Sequence, residues 1–192
     1  MQEFLLYLKL GFEHILDLNG YDHILFVVTL CAGYPVGQWK KIAILVSAFT
    51  LGHCLTLVLS ALDLIHFSPS LVELLIPVTI LLTAVLNLFR SADKSTLNAR
   101  VLSYLLAAGF GLIHGMGFST YFKALLGSTQ SIIFPLFSFN LGIEGGQLSI
   151  VAIFLGLSYF IFRFFKTDRR EWQVFMSGLG AGASILLILE RL

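Results

Sequence analysis

Apolar residues run in long blocks separated by short polar or glycine- and proline-containing stretches. A helix needs about 20 apolar residues to cross the hydrocarbon core of a bilayer, and most of the blocks reach that length. The first block, residues 3–33, is too long for one straight crossing and is interrupted by Asn19-Gly20, a pair that favours turns. The pattern therefore predicts a first helix bent or broken there. Gly33-Tyr34-Pro35-Val36-Gly37 ends the block, and further helices are expected over residues 38–64, 70–89, 99–126, 132–165 and 171–190. Breaks fall at His66-Phe67-Ser68-Pro69, at 90–98 and at Gly127-Ser128-Thr129-Gln130. The block 132–165 again exceeds one simple span and carries Pro135, which predicts tilt, a kink or an interfacial start.

Composition sharpens this picture. The chain has 192 residues, of which 57% are hydrophobic and 12% charged, with a mean hydropathy of +0.90. Those values lie outside the range of a soluble domain. The expected fold is an all-α polytopic bundle of about six transmembrane helices, forming a single transmembrane domain over residues 1–192 in contact with lipid. A formal net charge of +1 gives no excess of basic residues that would suggest a nucleic-acid partner. Cys31 and Cys54 sit in apolar segments without paired spacing and read as buried, inert thiols.

The positions of the charges give an orientation. Lys40 and Lys41, then Arg90, Lys94 and Arg100, then Arg163, Lys166, Arg169 and Arg170 fall in alternate loops, nine of the 12 basic residues. Basic loops stay cytoplasmic. Both termini are then expected to face outward, with Lys9, Lys123 and Arg191 on that side.

Against this apolar background the polar groups stand out. His14, Asp17, Asp22 and His23 fall within ten residues of the first block, His53 and His114 near the middles of the second and fourth helices, and Glu144 well inside the fifth. A lone intramembrane histidine is usually a hydrogen-bonded structural residue. Several histidines and carboxylates at comparable depth on separate helices point instead to a site. Imidazole nitrogen with carboxylate oxygen is a donor set for divalent first-row metals, and the chain has no cluster of thiolates for a softer ion. Asp22 and His23 are adjacent, so a regular helix would point them about 100° apart; Asp22 is either a ligand or the group that orients an imidazole from behind.

Asn140, Glu144 and Gln147 fall on one helix face, and Ser47, Thr50, His53 and Thr56 recur every three residues, a stripe that either lines a path or back-bonds to carbonyls. Glu73, near the outer end of the third helix, reads as a solvated helix-start carboxylate or an entrance group. Gly111 and Gly115, Gly142 and Gly146, and Gly178 and Gly182 are spaced to let helix backbones approach closely.

Several ordered motifs carry a resemblance. Phe49-Thr50-Leu51-Gly52-His53-Cys54-Leu55-Thr56-Leu57, Val72-Glu73, Phe110-Gly111-Leu112-Ile113-His114-Gly115-Met116-Gly117-Phe118 and Phe139-Asn140-Leu141-Gly142-Ile143-Glu144-Gly145-Gly146-Gln147-Leu148 are similar to the successive signatures of the HupE/UreJ family of hydrogenase and urease accessory membrane proteins. Gly20-Tyr21-Asp22-His23 fits the family's opening pattern, whereas His14 lies six residues before the glycine rather than about four. The resemblance implies a six-helix protein of the bacterial inner membrane linked to nickel or cobalt uptake, with Asp22, His23, His53, His114 and Glu144 at the matching polar positions.

The expected activity is a divalent-metal permease, for nickel or cobalt before zinc. Its expected ligands are His23, His53, His114 and Glu144, supported by Asp22 and His14, with Asp17, Thr50, Asn140, Gln147 and Glu73 behind them or along the path. A zinc-dependent intramembrane hydrolase and a non-transporting metal-binding accessory protein draw on the same donors. The sequence offers no serine or cysteine constellation that would raise the enzyme reading further.

Overall fold

The structure is a computed structural model that describes residues 1–90, 97–126 and 132–192; the expected break at Gly127-Ser128-Thr129-Gln130 and most of the expected loop at 90–98, with Lys94, lie outside them. The described residues form seven α-helices: α1 (Gln2–Ile15), α2 (Asp22–Ala32), α3 (Trp39–Ala61), α4 (Pro69–Phe89), α5 (Leu97–Leu126), α6 (Ile133–Phe165) and α7 (Arg169–Glu190). A short 3₁₀ turn, Val36–Gln38, leads into α3. The helices α3 to α7 are each long and apolar enough to cross a membrane, and the molecule is an integral membrane protein.

The first apolar block is two helices rather than one bent helix. Residues 16–21 separate them, and Asp17 Oδ1 accepts the N–H of Asn19 at 2.9 Å, a local bond that competes with helix continuation. Both halves run in the same sense. Leu8, Phe12 and Ile15 of α1 meet Gly142 and Gly146 in parallel register with α6. Thr29 of α2 meets Asn87 near the end of α4, while Asp22 and the start of α4 share Arg191.

Other boundaries differ from expectation by one to three residues, each for a local reason. The α3 helix stops at Ala61 because Asp63 adopts a left-handed backbone (φ 58°) and the N–H of Leu64 turns back to the carbonyl of Leu59. Lys123 pairs with the Asp63 carboxylate, and its hydrogen bond and charge hold that carboxyl below its ordinary range. The α7 helix starts at Arg169 because Asp168 and Glu171 form a reciprocal capping box. Pro135 introduces no break: it lies in the first turn of α6, where a missing N–H removes no helical bond.

Small residues set the closest packing. A Cβ added at Gly52 would collide with the Ala108 carbonyl, at Gly111 with that of Phe49, and at Gly115 with that of His53, so α3 and α5 lie backbone to backbone and parallel. Gly11 and Gly142 do the same for α1 and α6. The Gly178/Gly182 pair corrects the expectation of a third close contact: nothing lies within 4 Å of either added Cβ, and α7 instead approaches α2 at Gly180, against Thr29.

Candidate metal centre

The break in the first block ends α1 at the same depth at which α2 begins. His14 occupies the last turn of α1 and His23 the first turn of α2, and their rings lie 4.6 Å apart. His53, fully buried on α3, completes a group with ring centroids 5.9 and 6.0 Å from those of His14 and His23. One ligand atom from each of the three lies within 4.8 Å of the others. His114 of α5 adjoins the group, its ring 5.1 Å from that of His23.

The hydrogen bonds leave this cluster rich in free lone pairs. Thr79 Oγ1 lies 2.7 Å from the Ile76 carbonyl, an acceptor only, so its proton is committed there. His114 Nε2, 3.1 Å away, must then donate to Thr79, which leaves Nδ1 as the bare nitrogen. His23 Nδ1 faces Asp22 Oδ1 at 3.4 Å, so its Nε2 is the bare one. His14 Nε2, His23 Nε2, both nitrogens of His53 and His114 Nδ1 are all buried without a hydrogen-bond partner. Leaving a buried polar atom unmatched costs about 1–3 kcal/mol; a neutral imidazole has one lone-pair nitrogen, so one of the two His53 atoms is an N–H, and the single nitrogens that His14, His23 and His53 bring within 4.8 Å of one another suit a ligand that supplies positive charge. An aromatic shell surrounds them, with Phe118 3.8 Å from the His14 ring and Phe49 5.0 Å from that of His114.

A cavity of about 630 Å³ reaches His14, His23 and His114; Gly117, Phe118 and Tyr121 place it on the side of the cluster towards the C-terminal end of α5. Glu13, Asp17 and Asp22 also line it, giving it three carboxylates. Glu13 and Asp17 are exposed, and Glu13 lies 3.6 Å from Lys9 Nζ and Asp22 3.5 Å from Arg191 Nη2, so carboxylate oxygens line the cavity from the surface to the imidazoles.

Residues 1–190 match the profile of the HupE / UreJ protein family. The chain belongs to the HupE/UreJ family. No curated protein and no solved structure matches it.

In this HupE/UreJ chain the remaining candidates divide. Glu144 does not join the imidazole group. Its carboxylate oxygens lie 2.5 Å from Ser47 Oγ and 2.6 Å from Thr50 Oγ1, and Gln147 Oε1 lies 2.8 Å from the same Thr50 hydroxyl. Thr50 and Ser47 precede His53 by one and two turns of α3, so this oxygen-rich group lies on the far side of the cluster from the cavity. Asn140 is buried nearby on α6, its amide bonded to the Leu136 carbonyl and its Oδ1 unpartnered. Thr56 bonds the Leu112 carbonyl and ties α3 to α5. Glu73 is exposed in the first turns of α4 and lines a separate cavity of about 140 Å³ with His66 and Lys123.

Arg191 and Thr79 are the neighbours of the cluster that sequence reasoning missed. Pro77 has no N–H, so the carbonyl of Glu73, four residues earlier, loses its helical donor. Arg191 Nη1 donates to that carbonyl at 2.5 Å while Nη2 reaches Asp22 Oδ2 at 3.5 Å. Two signals in the sequence, an intrahelical proline and a terminal arginine, thus meet at the carboxylate that orients His23. Thr79 carried no such signal.

Proposed function

We propose that this HupE/UreJ protein is a permease for a divalent transition-metal ion, nickel or cobalt, in the bacterial inner membrane, with both termini outward. The observation that carries the reading is the convergence of His14, His23 and His53 at the end of an acidic cavity, with bare nitrogens directed together. The carboxylates of Glu13, Asp17 and Asp22 concentrate cations at the entrance. The imidazoles then replace water around the ion, and His114 offers a fourth nitrogen. Nickel and cobalt bind imidazole well, and a site of neutral nitrogens holds such an ion without trapping it as thiolates would. Glu144, Ser47, Thr50 and Gln147 supply the next donors, all oxygen, on the other side of the cluster. Passage from nitrogen to oxygen ligands weakens the hold on a first-row ion and favours onward release.

Metal flux into proteoliposomes loaded with a metal-sensitive dye tests this. The native chain should give saturable nickel or cobalt entry, and a His53→Ala, His114→Ala double variant should lose at least tenfold of it. Flux equal to that of the native chain in the double variant would overturn the permease reading.

Three imidazoles beside a cavity of about 630 Å³ also favour one second reading, a zinc hydrolase with an open coordination position. The same vesicles separate the two: a hydrolase would retain zinc through dialysis and show no flux.

A further inference from the structure

Two stretches of the chain return at fixed offsets. Phe4-Leu5-Leu6, Gly11 and His14 of α1 are matched 100 residues on by Tyr104-Leu105-Leu106, Gly111 and His114 of α5. Phe49, Leu51 and Gly52 of α3 are matched 90 residues on by Phe139, Leu141 and Gly142 of α6. The contacts repeat with the residues. A Cβ at Gly11 would strike the Phe139 carbonyl and one at Gly111 that of Phe49, while a Cβ at Gly142 would strike the Leu8 carbonyl and one at Gly52 that of Ala108. The two histidines are also surrounded alike. His14 lies 6.0 Å from Phe139 and 3.8 Å from Phe118, which stack on each other at 5.0 Å. His114 lies 5.0 Å from Phe49 and 5.2 Å from Phe26, which stack at 4.8 Å.

The two helix pairs run in opposite senses. Tyr7 Oη donates to the Leu125 carbonyl at 3.3 Å, and His14, two turns further along α1, meets Phe118, two turns earlier on α5. So α1 is antiparallel to α5, while α6 runs with α1 and α3 with α5. In transporters, inverted repeats meet at the site of the carried ion, and one half rocks against the other to open the two sides of the membrane in turn. Here His14 and His114 meet on either side of His23, at 4.6 and 5.1 Å.

The halves differ in what opens onto them. The cavity of about 630 Å³ reaches His14 past Leu10. Phe110, the repeat equivalent of Leu10, lines a second cavity towards the basic end, with Leu30, Leu45, Thr83 and Ala107, and that one holds about 30 Å³. Phe26 is fully buried, 6.0 Å from Phe110 and 5.2 Å from His114, so its ring occupies the step from this vestibule to the imidazoles.

We infer that α1 with α6 and α5 with α3 are the halves of an inverted repeat, and that Phe26, stacked on Phe49, is the shut gate of an inner vestibule. This exit path, which rests on reading the protein as a permease, adds to that reading an inward-open state in which the small vestibule widens as the large cavity closes. The gate adjoins the oxygen donors of the release step, because Phe49 and Thr50 are consecutive on α3.

A chain with Cys31→Ala, Cys54→Ala and Ala107→Cys carries one thiol, inside the vestibule. In sealed vesicles of either orientation, a membrane-impermeant maleimide should label it from the face of Lys41 and not from the face of Tyr121. Adding Phe26→Ala should speed labelling about fivefold, since the aromatic stack that holds the gate shut is lost; Phe26→Leu, which keeps apolar bulk and guards against misfolding, should give an intermediate rate. The labelled chain should bind nickel from the Tyr121 side as before, while nickel flux falls roughly tenfold because the label fills so small a vestibule. An equal labelling rate in all three chains refutes the gate. Absence of labelling, labelling from the Tyr121 face, or labelling that leaves flux unchanged refutes the vestibule. The expected labelling pattern in a chain that passes no nickel even before modification would overturn the permease reading and leave the gated inverted repeat standing.

Discussion

At the scale of single residues, the site depends on which imidazole nitrogen stays bare. Asp22 faces His23 Nδ1 at 3.4 Å, and Arg191 holds the other carboxylate oxygen, so the order Arg191, Asp22, His23 fixes the ring and its tautomer. Asp22→Asn preserves size and removes the charge. It should weaken nickel binding by about 10- to 100-fold, read by calorimetry, while circular dichroism reports an intact helical fold. The histidines were legible because charged and polar groups are rare in apolar helices. The partners were less so. A threonine inside a membrane helix ordinarily back-bonds to its own carbonyls, as Thr50 and Thr79 both do, so nothing in the sequence marked Thr79 as the acceptor for His114. Glu144 was legible as a polar residue on an inward face, but helix periodicity does not say which neighbour that face meets; here it meets Ser47 and Thr50 on α3.

At the scale of elements, two devices build the centre. The first is the break at residues 16–21, which sets the last turn of α1 beside the first turn of α2. Asn19-Gly20 signalled it. The second is backbone contact through glycine, which presses Gly111 and Gly115 of α5 onto the stretch of α3 that carries His53. Gly52→Ala should lower the melting temperature in detergent, since overpacking a tight contact costs about 1–3 kcal/mol. Gly178→Ala meets open space and should be neutral or slightly stabilising, because alanine is the better helix former by about 1 kcal/mol. Equal effects at the two positions would mean that α3 and α5 do not pack as described. Glycine spacing alone could not distinguish these cases: it shows that a helix face is small, not that another helix lies on it.

At the scale of the whole molecule, a cavity lined by carboxylates reaches the imidazole group and an oxygen-rich group lies on its far side, with basic residues gathered at one end. The apolar blocks made the helical membrane fold legible, with boundaries within a few residues, because crossing a bilayer demands long uninterrupted apolar stretches. The sequence pointed to His23 and His53 at one site and to His14 as a supporting ligand, but it did not say that His14 rather than Glu144 would stand beside them, since that depends on how α1, α2, α3 and α6 pack. The meeting of His14, His23 and His53 is the central claim, and X-ray absorption at the metal edge of the nickel-loaded native chain tests it most directly. Imidazole scattering from at least three histidines is expected, falling by two in a His14→Ala, His23→Ala variant. A spectrum of oxygen ligands alone, or the same imidazole signal in that variant, would contradict it.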